Sequence, residues 1–319
     1  MPLVLKILLI AALTLALFWA LVLWLAARNE ARYEAAYPPE GQFLTVGDTR
    51  VHYVVMGEGP DLVLIHGSSG MTRDMTYRLA PALADRYRVI VFDRPGLGYS
   101  DPVTPNGTSI TDQALVISDA ARQLGAEKPL IAGHSYGGAV ALAWAVNHPE
   151  QISGLVTLSA ASHPWDTGLT PYYQLLSHPV AGPIVIPIIT AFVGERTILD
   201  QLDAVFAPFP TPDGYAAHFG PEMTVRRSAM TANALQRRNL LREVVDLSPR
   251  YKEVTVPTEI LHGADDTAVG LHIHSEPLHA AIDGSVLNVL ENQGHMITHT
   301  ASDDVIAAID RVAARAGLR

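Results

Sequence analysis

The sequence predicts an α/β fold: a mostly parallel sheet with helices on both faces, carried behind an apolar segment of membrane length. Three observations predict it. From residue 42 onward, short runs rich in Val, Ile and Leu alternate with segments of helical period, the pattern of a parallel sheet covered by helices. Some of these runs, such as 61–65 (DLVLI), are apolar without alternation, as strands buried on both faces are. Several lead into loops bearing Gly, His or Asp, at the strand ends where open α/β sheets hold their ligands.

The apolar segment is 7–27 (ILLIAALTLALFWALVLWLAA), in which Thr14 is the single polar side chain. As a helix it spans about 31 Å, close to the roughly 30 Å of bilayer hydrocarbon. Trp19 and Trp24 lie toward its far end, where indoles favour the interface. A buried core helix of this length would show a polar face. A secretory signal would have a shorter apolar region and a small-x-small site, but cleavage after Ala26 or Ala27 puts Trp24 or Leu25 at the −3 position. Residues 1–27 are therefore expected to be an uncleaved transmembrane anchor. Lys6 and the amino terminus nearly balance Arg28 and Arg32 across it; a short tail kept in the cytoplasm places the remainder on the exported side. Residues 28–41 (RNEARYEAAYPPEG) read as a linker ending in a turn.

Next comes a hairpin signal, 42–46 and 50–56 around Gly-Asp, then a strand at 61–65. A helical stretch starts near Thr72 and contains Pro81. A strand at 88–92 precedes a helix over 110–124 with Asp112 near its start. A strand at 130–132 runs through Gly133 toward a helix over 138–147, and 152–159 is again a strand. Strands at 256–261 and 286–290, a helix from Leu271 and a closing helix at 303–316 resume the pattern. Between the two blocks, 161–250 is rich in proline and aromatic clusters, with a helix-like segment at 223–241. The core is expected over 42–160 and 251–319, with 161–250 inserted.

The 319 residues hold 32 acidic against 22 Lys and Arg, a net charge of −10, which argues against a nucleic-acid partner. With no Cys, a disulfide framework, a cysteine nucleophile and a thiolate zinc site are excluded. At 49% hydrophobic and 17% charged, the chain is too apolar to be disordered.

The sharpest motif is Gly133-His134-Ser135-Tyr136-Gly137, a G-x-S-x-G between a strand and a helix. That context puts a serine on a sharp turn with its hydroxyl above the sheet. The glycines are needed where side chains would collide, and the helix N-terminus offers positive potential to a developing oxyanion. His66-Gly67-Ser68-Ser69-Gly70 follows the strand at 61–65; the backbone N–H groups of Ser68 and Tyr136 are the expected oxyanion donors. His262-Gly263-Ala264-Asp265-Asp266-Thr267 and Gly294-His295-Met296 follow the strands at 256–261 and 286–290. The order Ser135, Asp266, His295 fits a nucleophile, an orienting acid and a base. Either Asp265 or Asp266 can supply the acid, and spacing from Gly263 favours Asp266.

On these motifs the chain resembles the capped serine-hydrolase branch of the α/β-hydrolase fold superfamily, from about residue 42 to the C-terminus. Asp93-Arg94-Pro95-Gly96-Leu97-Gly98-Tyr99-Ser100 is similar to a loop recurring in that branch, with a structural role as a tight turn. The resemblance implies an eight-stranded sheet, a mostly helical cap over 161–250, and no cofactor. Epoxide hydrolases and haloalkane dehalogenases of this fold carry Asp at the nucleophile position; Ser135 here suits acyl transfer. The expected activity is cleavage of an apolar carboxylic ester through an acyl-enzyme. Lactone, amide or carbon–carbon cleavage is the alternative, and a silent binding module the remaining one. The expected partners are a small-molecule substrate and, through residues 7–27, the membrane.

Weaker features have plainer readings. His272, His274 and His279 read as a histidine-rich helix rather than a metal site, and His134 as a packing residue. The run 184–193 is broken by Pro187 and too short to span a bilayer; it packs within the insertion, lines the pocket or touches the membrane surface. Asn233, Arg237 and Arg238 are either substrate contacts or a solvated helix face.

Overall fold

In a computed structural model, residues 2–319 are described. Eight strands among these form one sheet: β1 (Gln42–Val46), β2 (Thr49–Met56), β3 (Asp61–Ile65), β4 (Arg88–Phe92), β5 (Leu130–His134), β6 (Gly154–Leu158), β7 (Thr258–Gly263) and β8 (Val286–Leu290). Their spatial order is β1-β2-β4-β3-β5-β6-β7-β8. β1 and β2, and β2 and β4, pair antiparallel; every later pair is parallel. β3 lies between β4 and β5, so the strand order reverses there. The ends of β3 and β5, with Ile65 opposite Gly133, open onto the crevice where such sheets carry their sites.

The core follows the strand period of two. Val63 and Ile65 of β3 face one layer, with α4 (Ile110–Gln123) and α5 (Tyr136–Asn147). Leu62 and Leu64 face the other, with α3 (Leu79–Leu83) and α13 (Ser302–Arg315). α4 starts where the Ser109 hydroxyl accepts the Asp112 N–H at 3.0 Å and donates to the Asp112 carboxylate at 2.8 Å, satisfying an end-of-helix donor. α5 is apolar on every side and buried through Val146, as a helix wedged between sheet and neighbours must be. The remaining core helices are α2 (Thr72–Thr76), α11 (Leu271–Ala281) and α12 (Ile297–Thr300).

The insertion between β6 and β7 is mostly helical: α6 (Pro171–Leu176), α7 (Gly182–Phe192), α8 (Glu195–Phe206), α9 (Tyr215–Phe219) and α10 (Arg227–Leu247).

Several expectations change. First, α1 (Leu3–Ala36) runs through the segment read as a linker over 28–41. Its sequence ARNEARYEAA is built of good helix formers, and its inner face is docked. Asn29 donates to the Thr190 and Ala191 carbonyls at 3.0 and 3.1 Å. Glu30 pairs with Arg227 at 2.6 Å and Glu34 with Arg226 at 2.9 Å. Pro38 and Pro39 follow its end. Second, α5 begins at Tyr136 rather than at 138. The glycines lower local helix propensity, but Gly137 packs on the end of β3 and Gly138 on Ala160, approaches that leave no room for a side chain. Third, the stretch from Thr72 is two short helices, α2 and α3, and β7 begins after Pro257 rather than at 256.

Glu243 of α10 accepts the Ile110 N–H at 3.0 Å and so ties the insertion to the first turn of α4. Burial raises its carboxyl to about 7, against the lowering effect of that hydrogen bond. A raised folded-state value stabilises the fold at pH below the unfolded value, and that contribution fades as pH rises through about 7. Thermal melts should therefore show Glu243→Gln losing less stability than the parent between about pH 5 and pH 8. Parallel losses in both proteins would contradict this.

Candidate active site

Ser135 joins β5 to α5 directly, at φ 54° and ψ −119°. A non-glycine residue held there costs on the order of 1–3 kcal/mol, so the surroundings must over-determine the turn. Its N–H donates to the Leu158 carbonyl at 2.9 Å, and its own carbonyl accepts from Gly138 at 3.0 Å and Ala161 at 3.2 Å. A Cβ on Gly137 would collide with the Ile65 and His66 carbonyl oxygens, and one on Gly133 with the backbone of Gly137 and Gly138. Only glycine lets helix, turn and strand approach this closely. The Ser135 side chain makes no hydrogen bond among the described residues, leaving its hydroxyl unengaged.

His134 is buried beside it and does more than fill space. Its Nε2–H donates to the His295 carbonyl at 3.0 Å, and the two imidazoles lie 4.8 Å apart. Burial, reinforced by His295, lowers His134 to about 4, so its ring stays neutral and fixes the His295 loop one residue from the serine. His295 Nδ1 donates to Asp266 Oδ2 at 2.7 Å. The other carboxylate oxygen of Asp266 accepts the Ala268 and Val269 N–H groups at 2.8 and 2.9 Å. Burial pushes the Asp266 carboxyl up, but hydrogen bonds from His262 and His295 outweigh it and hold the group well below the usual carboxylate range. Asp265 is exposed to solvent, so the geometry selects Asp266.

The loop after β3 closes against the Ser135 turn: a Cβ on Gly67 would stand 3.1 Å from that of Ser135. The Gly70 N–H donates to the Gly67 carbonyl at 3.2 Å, with Ser69 at φ 54°, so Ser68 sits on a tight turn. The N–H of Tyr136 belongs to the first turn of α5, whose donors have no acceptor inside the helix.

Sequence reasoning missed what lies behind this loop. Arg94 is fully buried. Its guanidinium donates to the His66 and Gly67 carbonyls, both at 2.9 Å, and to the Gln113 and Gln236 side chains at 2.6 and 2.9 Å; it stacks 4.4 Å from the Tyr136 ring centroid. The Asp93–Ser100 loop keeps its structural role, since Asp93 accepts from Thr72, Tyr99 and His52; Arg94 adds a cation behind the Gly67–Ser68 peptide. His262 was also missed: its Nε2–H donates to the Val269 carbonyl at 2.7 Å and lies 3.4 Å from Asp266. Its place four residues before Asp266, at a strand end, was the available signal. Asp74, accepting from His299 at 2.8 Å and Tyr215 at 2.7 Å, joins α2 and α12 to α9; no local pattern marks it.

From α10, Asn233 holds the backbone N–H and the hydroxyl of Ser69, accepting the first at 3.0 Å and donating to the second at 2.9 Å. Arg237 reaches the Ser68 hydroxyl at 3.4 Å. These two face the loop rather than bulk water, whereas Arg238 caps the Ser177 carbonyl within the insertion. The three histidines of α11 are engaged separately: His272 with Glu276, His274 with the Ser162 and His163 N–H groups, His279 with Ser285.

A family model described as the alpha/beta hydrolase fold matches residues 60–180. Haloalkane dehalogenase 2 of Mycobacterium tuberculosis is 28% identical over 280 residues, covering 86% of this chain and 94% of its own. The 2-hydroxy-6-oxononadienedioate/2-hydroxy-6-oxononatrienedioate hydrolase of Klebsiella pneumoniae is 28% identical over 263 residues, covering 77% and 84%. Among solved structures, a bacterial membrane phospholipase A superposes with a TM-score of 0.65 at 22% identity, covering 97% of this chain and 98% of that one.

If Asp266 alone orients His295, the His295 Nδ1 proton should give a strongly downfield NMR resonance that Asp266→Asn shifts upfield and Asp265→Asn leaves in place. The reverse pattern would reassign the acid.

Proposed function

We propose, starting from a chain that has the alpha/beta hydrolase fold, that it is a membrane-anchored serine hydrolase cleaving carboxylic esters with an apolar acyl part. The carrying observation is the unengaged Ser135 hydroxyl on a strained turn, with the His295–Asp266 pair fixed one residue away through His134.

In this reading Ser135 attacks the ester carbonyl and His295 Nε2 takes its proton. Asp266 holds the ring in the tautomer that leaves Nε2 free and stabilises the imidazolium that forms. The tetrahedral oxyanion is held by the N–H groups of Ser68 and Tyr136. Arg94, donating to the Gly67 carbonyl, polarises the Gly67–Ser68 peptide and so strengthens Ser68 as a donor. His295 returns the proton to the leaving alcohol, and water, activated by the same imidazole, releases the acid from Ser135. A serine at this position disfavours carbon–halogen displacement despite the dehalogenase relative, because that chemistry runs through a carboxylate ester. The helical insertion acts as a cap, with Asn233 and Arg237 set over the Ser68–Ser69 turn.

The alternative keeps these residues and cleaves a lactone, amide or carbon–carbon bond. The Klebsiella relative supports it, as does Arg237, a cation beside the oxyanion turn.

The anchor reading draws support from α1. Val22 and Ala26 are buried against the insertion and Glu30 and Glu34 are ion-paired to it, so cleavage near residue 27 would strip part of the folded body. The stretch is an uncleaved span in this account, with the rest of the chain on the exported side.

A series of p-nitrophenyl esters of increasing chain length tests the reading. The full chain should turn over several, favouring longer acyl groups. Asp266→Asn should lower kcat by on the order of 10⁴-fold, with Asp265→Asn nearly silent. Inertness toward every ester, with turnover of lactones or vinylogous diketones, would transfer the assignment to the alternative.

A further inference from the structure

The α6–α7 hairpin presents an uncharged surface on the outer side of the insertion. Residues 167–194 contain no Asp, Glu, Lys or Arg. Its inner side is packed: Leu176 and Ile186 form a cluster with Met230 and Ala234 of α10. Its outer side leaves Val180, Ile184 and Phe192 66%, 49% and 51% exposed, with Tyr172 and Leu175 beside them. In water that is an unsupported apolar surface.

The contact with α1 says what covers it. Ile188 and Ala191 of α7 share one cluster with Trp19, Val22, Leu25 and Ala26 of α1. All four belong to the apolar run 7–27. At 1.5 Å per residue, Trp19 lies about 12 Å below the end of that run, most of the way into a leaflet of about 15 Å. The polar level is marked as well: Asn29 caps the last carbonyls of α7, and Glu30 pairs with Arg227 just beyond. After Gly194 the chain bends by 105° into α8, which opens with Glu195 and Arg196, so charge resumes where the path leaves that level.

We propose that the α6–α7 hairpin is immersed in the hydrocarbon of the leaflet through which α1 emerges, its exposed face covered by lipid acyl chains. The proposal rests on α1 spanning the membrane. Its consequence for the site is direct. Tyr173 of the same hairpin lies 3.4 Å from Asn233 and under the Arg237 guanidinium at 4.4 Å, and those two residues contact Ser69 and Ser68. One helical layer thus separates acyl chains from the oxyanion turn.

The chain has no cysteine, so single labels are unambiguous. Full-length Leu13→Cys, Ile184→Cys and Lys252→Cys variants, labelled with an environment-sensitive fluorophore, are placed in phosphatidylcholine–phosphatidylglycerol vesicles. Quenching by doxyl groups on the acyl chains is compared with quenching by aqueous iodide. Labels at 13 and 184 should lose emission to doxyl lipid and resist iodide, with the reverse at 252. Val180→Cys gives the same readout should Ile184→Cys fail to fold. Iodide quenching at 184 without doxyl quenching, while 13 stays lipid-exposed, would overturn the proposal and leave the anchor intact. Loss of doxyl quenching at 13 would overturn the anchor reading itself. Shielding of 184 from both quenchers, relieved by dilution into excess lipid, would assign the face to a second copy of the chain and overturn the lipid contact.

Discussion

A serine forced to positive φ between β5 and α5 is the constraint on which the site depends. The turn leaves no spare residue: β5 ends at His134 and α5 starts at Tyr136. It exists because three backbones converge on it. β3 presses its last carbonyl, that of Ile65, against Gly137, β6 takes the Ser135 N–H, and the loop after β3 sets the His66 carbonyl against Gly137 and Gly67 against the serine. Backbone strain of about 1–3 kcal/mol is offset by burial of α5, whose apolar residues fill the space between sheet and helices. The same convergence brings the loop bearing Ser68 next to the N-terminal turn of α5, so fold and chemistry share one piece of geometry.

Around that turn the polar interior is arranged to keep charges fixed and rings in one tautomer. His66 is lowered to about 4, by burial first and then by Arg94; it donates from Nδ1 to the Gly67 carbonyl and accepts the Arg94 N–H at Nε2. His134 is held neutral in the same way. His52 accepts the Gly41 N–H and donates to Asp93, linking the residue before β1 to the loop that positions Arg94. A buried cation with no carboxylate partner is expensive; Arg94 is tolerated because four oxygen acceptors surround it, two of them the His66 and Gly67 carbonyls.

Much of this was legible in the sequence and some was not, for physical reasons. Short apolar runs marked the central strands because parallel strands there are buried on both faces, and the half-exposed β1–β2 pair was marked by its hairpin turn. Gly133, Ser135, His295 and the Asp265–Asp266 pair were marked because loop chemistry at strand ends is local. Choosing Asp266 needed only one turn of backbone, which exposes Asp265 and aims its neighbour inward. The start of α5 was not legible because glycine is a poor helix former, and only the contacts of Gly137 with the end of β3 and of Gly138 with Ala160 show why glycines stand there. Arg94, Asp74 and the helical course of 28–36 escaped because their partners lie far along the chain: Gln236, Tyr215 and Arg227 all come from the insertion.

The N-terminal helix and the insertion complete the account. α1 is docked as well as apolar, with Asn29, Glu30 and Glu34 fastening it to α7 and to the start of α10; α10 in turn carries Asn233 and Arg237 to the Ser68–Ser69 turn. The apolar helix α1 and the candidate active site are thus joined through one helical layer. The central claim, that Ser135 is the nucleophile, is tested most directly by intact mass spectrometry after exposure to a fluorophosphonate. One adduct per chain on the peptide containing Ser135, lost in Ser135→Ala and slowed in His295→Ala, is the predicted result. An unmodified parent protein, or an adduct that persists in Ser135→Ala, would contradict it.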